Sequence, residues 1–482
     1  MQGILKIRTK LSKWKEKAIE RREKIDALSK RLKEIKAGRE NWKQKYMSSK
    51  ESYRALLSEN KELKKRISVL EDGANLTSDK PKYHSYGSML ILMLIQMRQQ
   101  GNCSLRTCIG VMKILSLVLG LEIKIPCPSS ILNWEKKLGL HGLKNKENCS
   151  SSWAVILDES ISIGPEKLLL TLGVNLEEYT FGESLNFSDM TLLDMAIGCS
   201  WKGADISARL EELKPDYTIE YGVCDGGTNL IKSLKDSNID RVSDCTHAIG
   251  NILKRQYNNC EIFQAFSKQC GVFKRQVQLS KYAEFAPPRQ RVKGRFLNLQ
   301  ALSKWSYKVL GILDLKTDLT EEIQEKLAWL KDYRSLINDI YHQCLLMNKL
   351  FGVLKKKGLN INTQKECLAL LDEQESTDVF QKEVKEYLTT NMALIGEKQS
   401  LICCSDIIES YFGKYKNIAA KNGQSVITDA CLCIANFNQK FDKDQVKKAM
   451  ENIKIVDLND WKQTNCSDSI LKKKKELFKN TG

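Results

Sequence analysis

Two short runs constrain this chain more than any other feature. Trp153-Ala-Val-Ile-Leu-Asp158 and Tyr217-Thr-Ile-Glu-Tyr-Gly-Val-Cys-Asp225 are apolar or β-branched, and each stops on an aspartate. Such runs predict buried sheet strands with a carboxylate at the strand end. The first continues as Ser160-Ile-Ser-Ile-Gly164, and Leu168-Leu-Leu-Thr-Leu-Gly-Val174 begins a second strand. Further expectations are a third strand over Met190 to Cys199, a helix near Ala204 to Leu213, and a fourth strand ending at Asp225. A helix near Leu230 to Lys235 and a short strand at Asp240 to Ser243 follow. Asp244-Cys-Thr-His247 then opens a helix through Tyr257. A third acid lies far downstream in Ser405-Asp-Ile-Ile-Glu409-Ser-Tyr-Phe-Gly-Lys-Tyr-Lys416, which reads as a helix. Two aspartates on adjacent strands with a helical glutamate suit two Mg²⁺ ions and phosphodiester chemistry. Taken singly, Asp158 is as well a turn or cap residue, and Asp225 before Gly226-Gly227 suits an Asx turn. Their joint place on strands one and four points to ligands.

The charge names a class of partner. Lys and Arg number 77 against 59 acids, a net charge of +18. That excess favours a polyanion, most simply nucleic acid. The 482 residues, 42% hydrophobic, suffice for two or three domains with cores. The 16 cysteines form no regular framework and suit free thiols in a reducing compartment. Cys403-Cys404 and Cys431-x-Cys433 lack partner pairs at zinc spacing, so buried thiols are expected there. Gly226-Gly227 is not a P-loop, and there is no Gly-x-Ser-x-Gly elbow. The opening residues carry no signal-peptide core. Met89 to Met97 is too short to span a bilayer, and Leu105 to Leu121 holds Arg106 and Lys113. A soluble, cytoplasmic protein is expected.

The pattern divides the chain. Residues 1–75 read as a coiled-coil dimerisation arm. Leu11, Ala18, Ile25 and Leu32 repeat at seven, with Trp14, Leu28 and Ile35 as companions. After Gly38 the phase shifts to Tyr53, Asn60 and Ile67 with Leu56, Leu63 and Leu70, a stutter with one polar core position. The same helix could instead pack on its own protein or lay a basic face on DNA. Residues 76–145 read as a helical, helix-turn-helix-like DNA-binding domain. Ser104 caps one helix, and the next carries Asn133, Trp134, Lys136 and Lys137. A plain helical linker domain has the same pattern. The core is expected in two parts, 150–258 and 401–425, around a helical insertion over 259–400. Residues 426–482 are a C-terminal helical part with a basic tail at Lys472 to Lys475.

Three antiparallel strands followed by alternating helix and strand match a ribonuclease H-like fold. Asp158, Asp225, the Asp244-x-x-His247 signature and a distant Glu409 resemble the DDE transposases whose ribonuclease H-like domain is split by a helical insertion. Within that group the chain is similar to bacterial insertion-sequence transposases. Pro287-Pro288-Arg289-Gln-Arg291-Val-Lys293-Gly-Arg295-Phe296 resembles the same lineage. The resemblance implies an α+β multidomain protein with a nucleoid location in a bacterial cell. It implies that Asp158, Asp225 and Glu409 hold Mg²⁺ or Mn²⁺, that Asp244 and His247 support the site, and that the enzyme cuts transposon ends and joins them to target DNA. His247 as a buried helix-start histidine bonded to Asp244 is the plainer alternative. The expected partners are double-stranded DNA and a second copy of the chain, with no membrane. Arg289, Arg291, Lys293 and Arg295 are the first DNA-contact candidates, because four cations in seven residues rarely pack inward. Lys414 and Lys416 on the glutamate helix join them, with Lys136 and Lys137. Lys416 lies two turns past Glu409 on the same face, where some insertion-sequence families carry a DNA-contacting lysine. Ile402 and Ser405 stand where that longer motif has Tyr and Arg. Trp305, Trp329 and Tyr333 suit either base contacts or the core of the insertion. A non-enzymatic coiled-coil DNA-binding regulator, or a domesticated transposase, fits the charge and the arm equally. A ribonuclease H-like nuclease without strand transfer is a third reading.

Overall fold

The computed structural model describes residues 2–73, 79–119, 123–145, 151–163, 165–289, 299–315, 319–373, 379–396, 400–419, 426–468 and 470–479. Two compact units result, Met1–Asp79 and Lys80–Gly482. The first is a single helix, α1 (Gln2–Gly73), unbroken at Gly38. Its described seam positions, among them Ile25, Leu28, Leu32 and Leu56, are exposed. The side chains of Leu11, Ile67 and Leu70 lie outside the described ones.

The second unit is built on one sheet. Strands β1 (Ser152–Ile163), β2 (Glu166–Asn175), β3 (Met190–Gly198), β4 (Thr218–Cys224) and β5 (Asp240–Ser243) are ordered β3-β2-β1-β4-β5. β1 pairs antiparallel with β2, as does β2 with β3, while β1–β4 and β4–β5 are parallel. Side chains alternate across a strand with period two. In β1, Trp153, Val155 and Leu157 join the core beneath the helices around Ile206 and Leu234. Ala154 and Ile156 join the opposite core, as do Tyr221 and Val223 of β4.

Helices flank this sheet. Before it come α2 (Ser88–Gln99), α3 (Leu105–Leu119) and α4 (Pro128–Lys144). Ser104 caps α3 as expected, its Oγ accepting from Thr107 N at 3.1 Å. Between strands run α5 (Gly203–Leu213) and α6 (Thr228–Asp236), and α7 (Cys245–Asn258) follows β5. The insertion is helical among its described residues: α8 (Glu261–Val277), α9 (Leu299–Leu315), α10 (Glu321–Leu327), α11 (Arg334–Lys357), α12 (Ile361–Asp372) and α13 (Val379–Met392). The chain then returns as α14 (Asp406–Ile418) and ends in α15 (Lys443–Asn452), α16 (Ile455–Asn465) and α17 (Ile470–Lys479).

The C-terminal part is not a separate appendage. Val446, Ala449 and Met450 of α15 share one core with Leu90, Ile91, Met112 and Trp134. The 3-10 segment Asp429–Asn438 lies so close to α4 that a Cβ on Gly139 would stand 1.9 Å from the carbonyl oxygen of Leu432. The basic tail, Lys472 to Lys475, lies on α17.

Candidate active site

The two aspartates meet by register. Pairing of β1 with β4 ends at Leu157↔Cys224. Asp158 and Asp225 are one step further, on strands about 4.8 Å apart. By the same period, both follow Ile156 and Val223 onto one face. β1 itself runs on to Ile163, so Asp158 lies not at the end of its strand but where its neighbour β4 stops. Asp225 also makes the Asx-type turn: its Oδ1 accepts from Gly227 N at 2.7 Å. The turn aims the carboxylate and leaves its second oxygen for other contacts.

Glu409 arrives from 184 positions beyond Asp225 in the sequence, and a buried carboxylate brings it there. Asp244 caps α7, its Oδ1 accepting from His247 N at 2.6 Å. Its Oδ2 accepts from Ser405 N at 2.5 Å and Ser405 Oγ at 2.9 Å. The bond between Cys245 N and the Cys403 carbonyl, 2.7 Å, reinforces the junction. Asp244 therefore clasps the start of α7 to the start of α14. Its carboxylate engages the backbone of His247 and not the ring. The ring turns to Glu409, with Nε2 3.6 Å from Oε1. Asp406, one turn earlier on α14, pairs instead with Lys355 of α11. No local pattern marks Ser405 as the anchor, because its acceptor Asp244 lies 161 positions upstream.

The electrostatics follow from this packing. Burial pushes the Asp158 carboxyl up to about 7, helped by the charges of Asp225 and Glu409 and opposed by His247. His247 is raised to about 9, first by its pairing with Glu409, with burial opposing and Asp244 and Asp225 adding. Crowded anions held partly out of water are a donor set that a hard divalent cation neutralises. Asp158, Asp225 and Glu409 could hold a divalent cation as such a donor set. A second group, Asp244, Cys404 and Asp406, has ligand-type atoms within 4.8 Å of one another. That spacing is compatible with a divalent cation, but Asp244 already accepts three hydrogen bonds and Asp406 already has Lys355.

The expected DNA contacts divide. Lys136 and Lys137 are corrected: both are buried on the inner side of α4. Lys136 Nζ bonds Asp429 Oδ2 at 2.8 Å. Lys137 Nζ donates to the Met450 carbonyl at 3.3 Å and lies 3.2 Å from His84 Nε2. A buried ammonium needs such partners, and both come from segments far away in sequence. Lys414 is half-buried over Phe187 and Phe437, at 4.9 and 4.6 Å, and donates to the Gln99 carbonyl at 3.0 Å. Burial lowers its ammonium to about 8. Lys416 and Arg289 are exposed, while Arg291, Lys293 and Arg295 lie outside the described residues. Trp305, Trp329 and Tyr333 pack against the core with Phe266 and Phe273, which favours their plainer reading. Arg241 of β5, which no sequence pattern singles out, donates from Nη2 to the Asp225 carbonyl at 3.1 Å.

No protein-family model matches the chain, and no curated protein matches it. Among solved structures it is similar to the Drosophila P element transposase strand transfer complex, at 13% identity and a TM-score of 0.40, over 82% of this chain and 100% of that one. Among the described residues no helix is long and apolar enough to cross a membrane.

Proposed function

We propose that the chain is a DDE-type DNA transposase working on a ribonuclease H-like sheet, with Asp158, Asp225 and Glu409 as ligands for Mg²⁺ or Mn²⁺. What supports this reading is that Asp158 on β1 feels the charges of both Asp225 and Glu409, its carboxyl being raised first by burial and then by those neighbours. The bound cations would supply Lewis acidity to a phosphodiester and to the attacking hydroxyl. Asp225 is aimed by its turn, and Glu409 is held by protonated His247. Asp244 positions both sides of the site without touching substrate. Exposed Lys416 and the basic segment from Arg289 to Arg295 suit the DNA backbone. The exposed apolar seam of α1 suits pairing with a second copy. On that reading, deleting residues before Asp79 lowers the mass seen by light scattering, and an unchanged mass removes the dimer role.

The test of the chemistry is nicking of supercoiled plasmid with Mg²⁺ or Mn²⁺. The wild type should nick. Asp225→Asn should be slower by about 10³-fold, the several kcal/mol of lost cation stabilisation, and should still bind the plasmid. Equal rates for the two proteins would remove the mechanism.

A further inference from the structure

Where the helices ahead of the sheet meet α14, a pocket of about 660 Å³ is walled by Arg98 of α2, Arg106 of α3 and Lys414 of α14, and no acid lines it. It opens to solvent, since Asn102, Ser104, Arg106 and Asn417 on its walls are exposed. The acids behind the walls are already engaged. Glu135 accepts from Arg98 Nε at 3.0 Å and from Gln99 Nε2 at 2.9 Å, and Asp429 holds Lys136 at 2.8 Å. Arg98 is therefore balanced by Glu135, while Arg106 and Lys414 are not balanced. Arg106 makes no ion pair among the described residues. Lys414 is half-buried, and its Nζ meets the Gln99 carbonyl and the rings of Phe187 and Phe437 but no carboxylate. Two cations at one pocket, one of them partly desolvated, form an arrangement that an incoming anion stabilises.

The backbone adds to the same field. Ser104, Leu105 and Arg106, all on the pocket wall, are the cap and the first two residues of α3. Ser104 Oγ takes Thr107 N at 3.1 Å, and the N–H groups of Leu105 and Arg106 have no hydrogen-bond partner among the described residues. First-turn amides and the positive end of a helix of 15 residues favour an anion. Position selects which anion. Lys414 is five residues past Glu409 on α14, so it stands about 7.5 Å further along the axis and about 140° around it. The pocket is thus beside the carboxylate site and not part of it. Duplex DNA carries a charge about every 1.7 Å of its axis. A duplex whose phosphodiester reaches Glu409 therefore brings further phosphates to the height of Lys414.

We infer that this pocket seats a backbone phosphate of the DNA beside the reacting phosphodiester, gripped by Arg106, Lys414 and the first-turn amides of α3. This rests on the proposed function, and it gives the helices ahead of the sheet a DNA contact other than the inward-facing Lys136 and Lys137. The experiment is fluorescence anisotropy of the full chain in EDTA with a duplex of about 30 base pairs, over a series of salt concentrations. Arg106→Gln should weaken binding roughly 5-fold at low salt, and its combination with Lys414→Met should lower the slope of log affinity against log salt by about 1. Lys268→Gln, at an exposed cation of α8 outside the pocket, should change neither. Arg106 is exposed, so its variant reads the pocket even if the double variant does not fold. Wild-type affinity and slope in Arg106→Gln overturn the phosphate site, as does an equal loss from Lys268→Gln, which would show bulk charge only. Inorganic pyrophosphate tests the other source of the same chemistry. If it raises the melting temperature of the wild type and not of Arg106→Gln, while the two bind DNA alike, the pocket takes a free anion and its assignment to DNA is overturned. A wild type that nicks plasmid, with Arg106→Gln binding unchanged, refutes the pocket alone. A slope that depends on Arg106 in a protein that does not nick supports the pocket and refutes the proposed chemistry.

Discussion

Two acidic clusters sit within a few residues of each other here, and they are in opposite states. Asp244, Cys404 and Asp406 are closed: Asp244 accepts three hydrogen bonds and Asp406 holds Lys355. Asp158, Asp225 and Glu409 are open: their charges crowd one another, and His247 is the neighbouring cation. Proximity of acids alone therefore does not make a metal site. What matters is whether the oxygens are already engaged. The closed cluster holds the fold, while the open one keeps an excess of negative charge that, on the proposed function, a cation would offset.

The sharpest way to break this comparison is to delete one acid from each cluster. Asp244→Ala leaves the His247 and Ser405 donors without their acceptor and should cost about 3 kcal/mol in urea unfolding, at 1–3 kcal/mol for buried groups left unmade. Asp158→Asn should act in the opposite direction. Without metal at pH 8 it removes a repelled, buried charge and should stabilise by on the order of 1–3 kcal/mol. Two losses of similar size would show that the clusters do not differ.

Smaller, and free of mutation, is the dependence on pH. The Asp158 carboxyl is raised from 3.8 to about 7 on folding, so its contribution is complete below pH 4 and is lost as pH rises through 7. His247 is raised from 6.5 to about 9, so its contribution is complete below 6.5 and is lost as pH rises through 9. Both signs agree. In EDTA the melting temperature should fall between pH 5 and 9, and Mg²⁺ or Mn²⁺ should raise it more at pH 8 than at pH 5. A cation effect equal at both values would separate metal binding from Asp158.

The smallest effect belongs to the edge of the closed cluster. Lys355→Met removes a partly exposed ion pair with Asp406 and should cost about 0.5–1 kcal/mol. Nicking should keep its wild-type rate, because Asp406 is not in the open cluster. A large fall in rate would bring Asp406 into the chemistry.

Much of the open site was legible before any coordinates. The strand runs, their parity and the Asp244 cap are local patterns: they put Asp225 just past β4 and His247 in the first turn of α7, while β1 runs on past Asp158 to Ile163. The α4 lysines were not legible. Lys136 and Lys137 occupy the same kind of Lys-rich helix as the exposed α1, yet their partners are Asp429 and the Met450 carbonyl. No local signal on α4 announces partners some three hundred residues away.

The sequence by itself determined the strands, the face on which Asp158 and Asp225 stand, the capped start of α7 and the helical run of α14, because backbone period and capping act within a few residues. Only the tertiary structure decided that Glu409 and not Asp406 turns toward His247, that Asp244 ties Ser405 to α7, and that the α4 lysines face inward. Those outcomes depend on which distant groups share a buried volume, since desolvation and the partners that offset it are properties of packing and not of any one segment.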